Sequence, residues 1–296
     1  MNRKALRGNL LLLLTAMIWG SAFVAQRVGM ESVQPFTFNG VRSLLAALVL
    51  LPVIRVLDKK GAGRKPGTPE EKRRLAVGGV LCGLCLFGGS TLQQFGLVYT
   101  TAGKAGFITA LYVVLVPIAA LCFGKRARLT TWVGVALAAA GLYLLCMTDA
   151  LSINRGDVLV MLCAFCFCAH ILVIDHFSPG VDGVRLSCLQ FFVSGLIATV
   201  CALATETIRL DALLECAAPI LYAGVLSGGV GYTLQIVAQK DTDPTIASMI
   251  MCLESVFSVV FGTILLGEQM SAREGIGCAL MFVAIILAQL PERRRS

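Results

Sequence analysis

The chain alternates between long apolar runs and short polar breaks. Ten such runs can be drawn, over 8–27, 35–56, 75–98, 104–123, 129–147, 156–175, 184–204, 216–239, 244–266 and 273–290. Each approaches the roughly 20 residues that a helix needs to cross a hydrocarbon core. The pattern predicts an all-α polytopic membrane protein of ten transmembrane helices. Most breaks are short. The longest, 57–74 ("LDKKGAGRKPGTPEEKRR"), is polar and rich in Gly, Pro and charge, and predicts a surface loop with no room for a second domain. Run 1 follows Arg3, Lys4 and Arg7 and ends in "GSAFVA", features shared with cleaved signal peptides. Its apolar stretch is long for such a leader and an internal copy lies downstream, so it is read as a retained first helix.

Composition agrees with that pattern. Of 296 residues, 57% are hydrophobic and 14% charged, with a mean hydropathy of +0.83, whereas soluble domains are about a quarter charged. The net charge of +8 raises the question of nucleic acid, and its placement answers it. With the N-terminus inside, 19 Lys and Arg fall on the inner segments and 5 on the outer ones, with Arg42 inside run 2. That bias sets orientation. It places both termini in the cytoplasm and the chain in the cytoplasmic membrane, and leaves no charge to be explained by nucleic acid. The 12 cysteines, among them Cys82 and Cys85 in a CxxC and the "CAFCFC" at 163–168, lie in apolar runs. Metal binding there would require deprotonation in hydrocarbon, so they read as small apolar filler. No metal, cofactor or disulfide framework is expected.

An internal repeat sharpens the picture. An offset of 148 places "AMIWGSAF" (16–23) on "AFCFCAHI" (164–171) and Arg42 on Gln190. An offset of 142 places "GGSTLQ" (88–93) on "VGYTLQ" (230–235), Gln93 on Gln235, and Leu111-Tyr112 on Leu253-Glu254. An offset of 143 places "GKRARLTTWVG" (124–134) on "GEQMSAREGIG" (267–277). The offset drops within the 57–74 loop, where an insertion is cheap. Residues 1–149 and 150–296 are therefore read as two five-helix repeats. Five is odd, so the second copy enters the membrane inverted, which is the plan of many secondary transporters with a midplane site between the copies.

The segments "AMIWGSAFVAQRV", "GLVYTTAGKAGFITALYVVLVPI", "LTTWVGVALAAAGLYLL" and "ASMIMCLESVFSVVFGTILLGEQMS" resemble the EamA-type transporters of the drug/metabolite transporter superfamily, over essentially the whole chain. That resemblance implies a ten-helix carrier with a central cavity and alternating access. It also implies small-metabolite substrates, amino acids among them, mostly exported, with protons or exchange as the usual coupling. Two departures stand out. The family pattern puts proline after the first glutamate where this chain has Ser255, which puts a helix kink there in doubt, and Lys125 stands where the second copy has Glu268.

Candidate site residues are polar or aromatic groups inside apolar runs. Glu254 lies about ten residues into its run, roughly 15 Å deep, where a charge costs on the order of 3 kcal/mol or more. It either couples protons or contacts substrate, or it ties helices together. Arg42 can snorkel, pair with a carboxylate or bind an anionic group. Gln93 and Gln235, at matched positions, are interhelical glue or cavity lining. Tyr112, the mate of Glu254, and Tyr232 are cavity-wall candidates. Trp19 lies mid-run rather than at an interface, so it stacks on substrate or packs. His170 is a proton relay or a hydrogen-bonded packing residue. Asp175, His176 and Glu268 read as helix-end groups. Clusters such as Ser227-Gly228-Gly229 permit close helix approach.

A small-metabolite carrier is the leading reading. A channel would need a continuous polar path and the sequence offers scattered single polar residues. A lipid or lipophilic-compound flippase stays open within the carrier class. An enzyme is not expected, because no clustered catalytic motif such as HExxH is present.

Overall fold

The computed structural model describes residues 3–30, 32–99, 102–122, 124, 127–146, 154–266 and 271–289. Among them there is no strand. The helices are α1 (Arg3–Gly29), α2 (Pro35–Lys59), α3 (Pro69–Leu97), α4 (Ala102–Ala110), α5 (Tyr112–Cys122), α6 (Leu129–Cys146), α7 (Arg155–Phe177), α8 (Gly183–Thr205), α9 (Leu210–Glu215), α10 (Ala217–Leu221), α11 (Thr233–Gln239), α12 (Pro244–Met251), α13 (Glu254–Leu266) and α14 (Ala272–Gln289). A short 3₁₀ turn, Ser178–Gly180, follows α7, and a π-helical segment, Tyr222–Tyr232, joins α10 to α11.

Helix starts follow local chemistry. Thr68 and Glu71 form a reciprocal capping box at the head of α3, with Pro69 at its first position. Asn154 and Asp157 do the same for α7, and Asp182 accepts from the backbone amides of Val184 and Arg185 to open α8. These caps shorten the expected 57–74 loop. α2 runs on to Lys59 and α3 begins at Pro69, so only 60–68 remain outside a helix.

Eight stretches among the described residues are long and apolar enough to cross a membrane, with Leu129–Leu144 in α6 a shorter apolar helix. Large apolar side chains such as Leu48, Phe165, Leu203 and Ile264 point outward, more greasy surface than a soluble protein carries. The chain is therefore an integral membrane protein.

Several packing pairs are antiparallel. Asp58, at the end of α2, clasps Arg185 in the first turn of α8, with Nη2 2.6 Å from each carboxylate oxygen. At the opposite end of this pair Glu206, just past α8, takes the Phe36 and Thr37 amides of α2 at 2.8 and 2.7 Å and the Thr37 hydroxyl at 2.7 Å. The offset of 148 carries Asp58 onto Glu206 and Thr37 onto Arg185. One helix pair is thus fastened at both ends by matched positions. α6 and α14 are also antiparallel. Cβ atoms built on Gly134 and Gly141 would lie 2.9 Å from Ala284 O and 2.8 Å from Gly277 O, so only glycine lets these backbones approach so closely.

The remaining packing exchanges partners between the halves. α1 lies on α12–α13 and on the 217–239 stretch, while α7 lies on α4–α5 and on α3. The largest apolar cluster joins α1, α5, α6, α12 and α14 around Leu12, Val116, Leu142, Met249 and Met281.

Two of these stretches are broken in mid-course. α4 stops at Ala110 and α5 starts at Tyr112, with tight-turn bonds Leu111 N to Ile108 O (3.2 Å) and Val114 N to Leu111 O (2.9 Å). α12 stops at Met251 and α13 starts at Glu254, with Leu253 N to Ile250 O and Ser255 N to Cys252 O, both 3.2 Å. The helix is therefore interrupted beside Glu254 although Ser255 replaces the proline.

Candidate functional site

The two breaks face each other. Tyr112 and Glu254, the first residues of α5 and α13, meet through a hydrogen bond from the Tyr112 hydroxyl to Glu254 Oε1 at 3.2 Å. Glu254 is 7% exposed. An acid at the head of a helix also lies on the favourable end of the backbone dipole. Among the described residues no cation pairs with it.

Around this contact opens a cavity with about 610 Å³ of empty space, its open mouth included. All eight residues singled out in the sequence, Trp19, Arg42, Gln93, Tyr112, His170, Tyr232, Gln235 and Glu254, line it. Glu268 and Lys125 lie outside the described residues.

The π-helical segment builds one wall. Its carbonyls are taken by α1: Trp19 Nε1 donates to Ser227 O and Thr15 Oγ1 to Gly231 O, both at 3.3 Å, and Ser21 bonds the Tyr222 hydroxyl. The Trp19 ring lies 4.5 Å from that of Tyr232, tilted by 50°. Its polar group is used within the protein, so Trp19 offers the cavity ring surface. Gly231 makes this possible, since a Cβ there would sit 2.8 Å from Trp19 Nε1. In the first half Gly89 receives Phe167 in the same manner, with a Cβ 3.1 Å from the ring. The offsets carry Gly89 onto Gly231 and Trp19 onto Phe167, and Phe167 also lines the cavity.

Polar groups fall into two sets. Arg42 donates from Nη1 to Gln26 Oε1 at 3.2 Å, and its guanidinium lies 5.5 Å over the Phe38 ring. No described carboxylate pairs with it. Gln26 is held in turn by Gln94 Nε2 at 3.1 Å. The second set is Gln93, Gln235 and His170, which line the same cavity as Glu254. Gln93 donates to Thr109 Oγ1 at 3.2 Å, rather than to its mate Gln235. Gln235 is 1% exposed and its Oε1 is without a partner. His170 bonds Gln190 Oε1 through Nε2 at 2.9 Å, so one ring nitrogen is committed to packing.

Sequence reasoning missed Gln26, Ser90, Thr109, Phe167, Ser227 and Met251 as lining residues. Serine and threonine gave no signal, since their hydroxyls commonly bond their own helix, as Ser90 Oγ does to Phe87 O. Gln26 was the exception: an amide inside an apolar run needs a partner.

Chemically the cavity offers a guanidinium on one helix set, a carboxyl on the other, and aromatic surface from Trp19, Phe167 and Tyr232. Among the described residues no His, Cys, Asp and Glu cluster could hold a metal, and the described cysteines are all free thiols.

The chain matches the EamA-like transporter family twice, over residues 6–147 and 154–290. A protein of Archaeoglobus fulgidus named as an uncharacterized transporter is 33% identical over 292 residues, covering 97% of this chain and 87% of that one. The uncharacterized inner membrane transporter YedA of Escherichia coli is 24% identical over 280 residues, covering 93% and 88%. One crystal structure superposes with a TM-score of 0.80 over 98% of this chain and 99% of the other, at 18% identity, and so shares its fold. The chain belongs to the EamA-like transporter family.

Proposed function

We propose that this protein is a secondary active transporter that exports a small zwitterionic metabolite, an amino acid or related compound, across the cytoplasmic membrane by alternating access. The carrying observation is one cavity that holds Arg42 and Glu254, neither paired with an opposite charge among the described residues. A buried charge without a partner is costly. A ligand with a carboxylate and an ammonium group satisfies both ends: its carboxylate on the Arg42 guanidinium, its ammonium on Glu254.

Ten spans as two inverted repeats, 1–149 and 150–296, are part of the proposal. In their support stand the two family matches, the antiparallel α2–α8 and α6–α14 pairs, and the exchanged packing of α1 and α7. α6 and α14 are the fifth and tenth spans, and with the eight longer apolar stretches they make ten. Both termini face the cytoplasm, as the loop charges indicate, which puts the Asp58–Arg185 clasp on the cytoplasmic side and the Glu206 clasp outside. Broken helices meeting at mid-membrane are the usual site-forming elements of such carriers. Glu254 is the proton-coupling group, and the export direction rests on the family resemblance.

The test uses proteoliposomes. Amino-acid counterflow that saturates is expected of a carrier; linear, non-saturating flux would make the protein a channel. Glu254→Gln is expected to insert normally yet lose pH-driven transport. An unchanged pH response in that variant would remove Glu254 from coupling.

A further inference from the structure

Arg42 is held by two amides that the second half lacks. Gln94 on α3 donates from Nε2 to Gln26 Oε1 on α1, and that same oxygen accepts from Arg42 Nη1 on α2. Gln94 is fully buried, Gln26 is 7% exposed, and the Gln94 Oε1 has no partner. Burying a lone amide oxygen costs stability, and a chain folded for stability alone would place an apolar side chain there. The other half does so. The offset of 148 carries Gln26 onto Ile174 and Arg42 onto Gln190, and the offset of 142 carries Gln94 onto Ile236. Ile174 and Ile236 are fully buried in one apolar cluster with Leu186, which stands at the position of Phe38. Gln190, freed of such a partner, bonds His170 instead. The two amides thus go with the cation and are replaced by isoleucine where it is absent.

We propose that Gln94 and Gln26 are positioning residues for Arg42, a relay from α3 through α1 to α2. The relay aims the guanidinium into the cavity and so sets selectivity for ligands with an anionic group. The proposal deepens the zwitterion reading and rests on it for the ligand, while the relay itself can be read without one. A guanidinium on a flexible chain loses affinity through rotamer freedom. A single shared acceptor, fixed from behind by a second amide, removes that freedom without the neutralising charge that a carboxylate would bring.

Two measurements on the full-length protein test this. The first is a double-mutant cycle by thermal unfolding in detergent, with no ligand present. Gln26→Ile/Gln94→Ile is expected to lower the melting temperature in the wild-type background and to raise it or leave it unchanged in an Arg42→Gln background. Additive shifts would overturn the relay. The second compares transport of phenylalanine and phenylalaninamide, which differ only in the carboxylate. Gln94→Ile is expected to raise KM for phenylalanine by about tenfold at unchanged kcat, with less than about a twofold change for the amide. Equal changes for both probes would show a merely structural role and overturn the proposal. If the wild-type protein transports neither probe, the zwitterion reading falls, and the thermal cycle decides the relay by itself.

Discussion

Helix α3 and the stretch 217–239 correspond under the sequence offset of 142, and they are built differently. α3 is one regular helix of 29 residues. Its counterpart is α-helical at its ends and π-helical for 11 residues between them, a rare form that clusters at functional sites. Both offer a glycine to an incoming aromatic ring, Gly89 to Phe167 and Gly231 to Trp19. The packing joint is shared, then, while the chemistry has separated. The first half supplies Arg42 and its two amides; the second supplies Glu254 and the π-helical wall that takes Trp19 and Thr15. A cavity between such unlike halves can hold an unsymmetrical ligand in a single orientation.

The difference can be broken at several points. The largest effect is expected at the paired helix breaks. Glu254→Gln should lower accumulation driven by a pH gradient by roughly 100-fold or more, the scale of a lost proton-transfer group. Tyr112→Phe, at the mate position, removes only a hydrogen-bond donor and should cost no more than about tenfold. Equal losses in the same proteoliposome assay would mean that the two breaks contribute alike.

Next comes the glycine joint. Gly231→Ala forces the Trp19 indole aside and should destabilise by about 1–3 kcal/mol, with a shift in tryptophan emission. Gly89→Ala meets only a ring edge at 3.1 Å, and alanine gains about 1 kcal/mol of helix propensity, so its unfolding temperature should hardly move. The reverse order would show that Phe167, not Trp19, is the tighter joint.

Smallest are the two clasps of the α2–α8 pair. Asp58→Asn and Glu206→Gln should each cost on the order of 1 kcal/mol, as partly exposed charged contacts and helix caps do. Salt separates them. The Asp58–Arg185 pair is 17% and 21% exposed and should weaken as ionic strength rises, narrowing the gap between wild type and Asp58→Asn. The Glu206 clasp works through short backbone hydrogen bonds and should respond less.

Much of the fold was legible because hydrocarbon is a strict solvent: an uninterrupted apolar run of that length has few other fates. The head of α3 was readable too, in the "TPEE" at 68–71, a capping box with proline at its first turn. Read as part of a polar loop, it made that loop too long. The breaks at Leu111 and at Cys252–Leu253 left no trace. These residues carry no feature that stops a helix, and the breaks show only in the tight-turn bonds of the folded chain. The eight site residues could be picked because each is a polar or aromatic anomaly within an apolar run. Phe167 and Met251 could not, since an apolar side chain facing a cavity reads the same as one facing lipid. Gln93 and Gln235, read as helix glue or cavity lining, both line the cavity, and Gln93 bonds Thr109 on α4.

The two clasps also differ in how a single codon change can reach them. At one end both partners are side chains, and a substitution at either Asp58 or Arg185 undoes the contact. At the other, two of the three donors are the amides of Phe36 and Thr37. No side-chain replacement removes a backbone amide except proline. Variation can therefore drift freely through the head of α2 and still leave it anchored, so long as Glu206 is kept. The same pair of helices carries a fragile fastening at one membrane face and a mutation-tolerant one at the other.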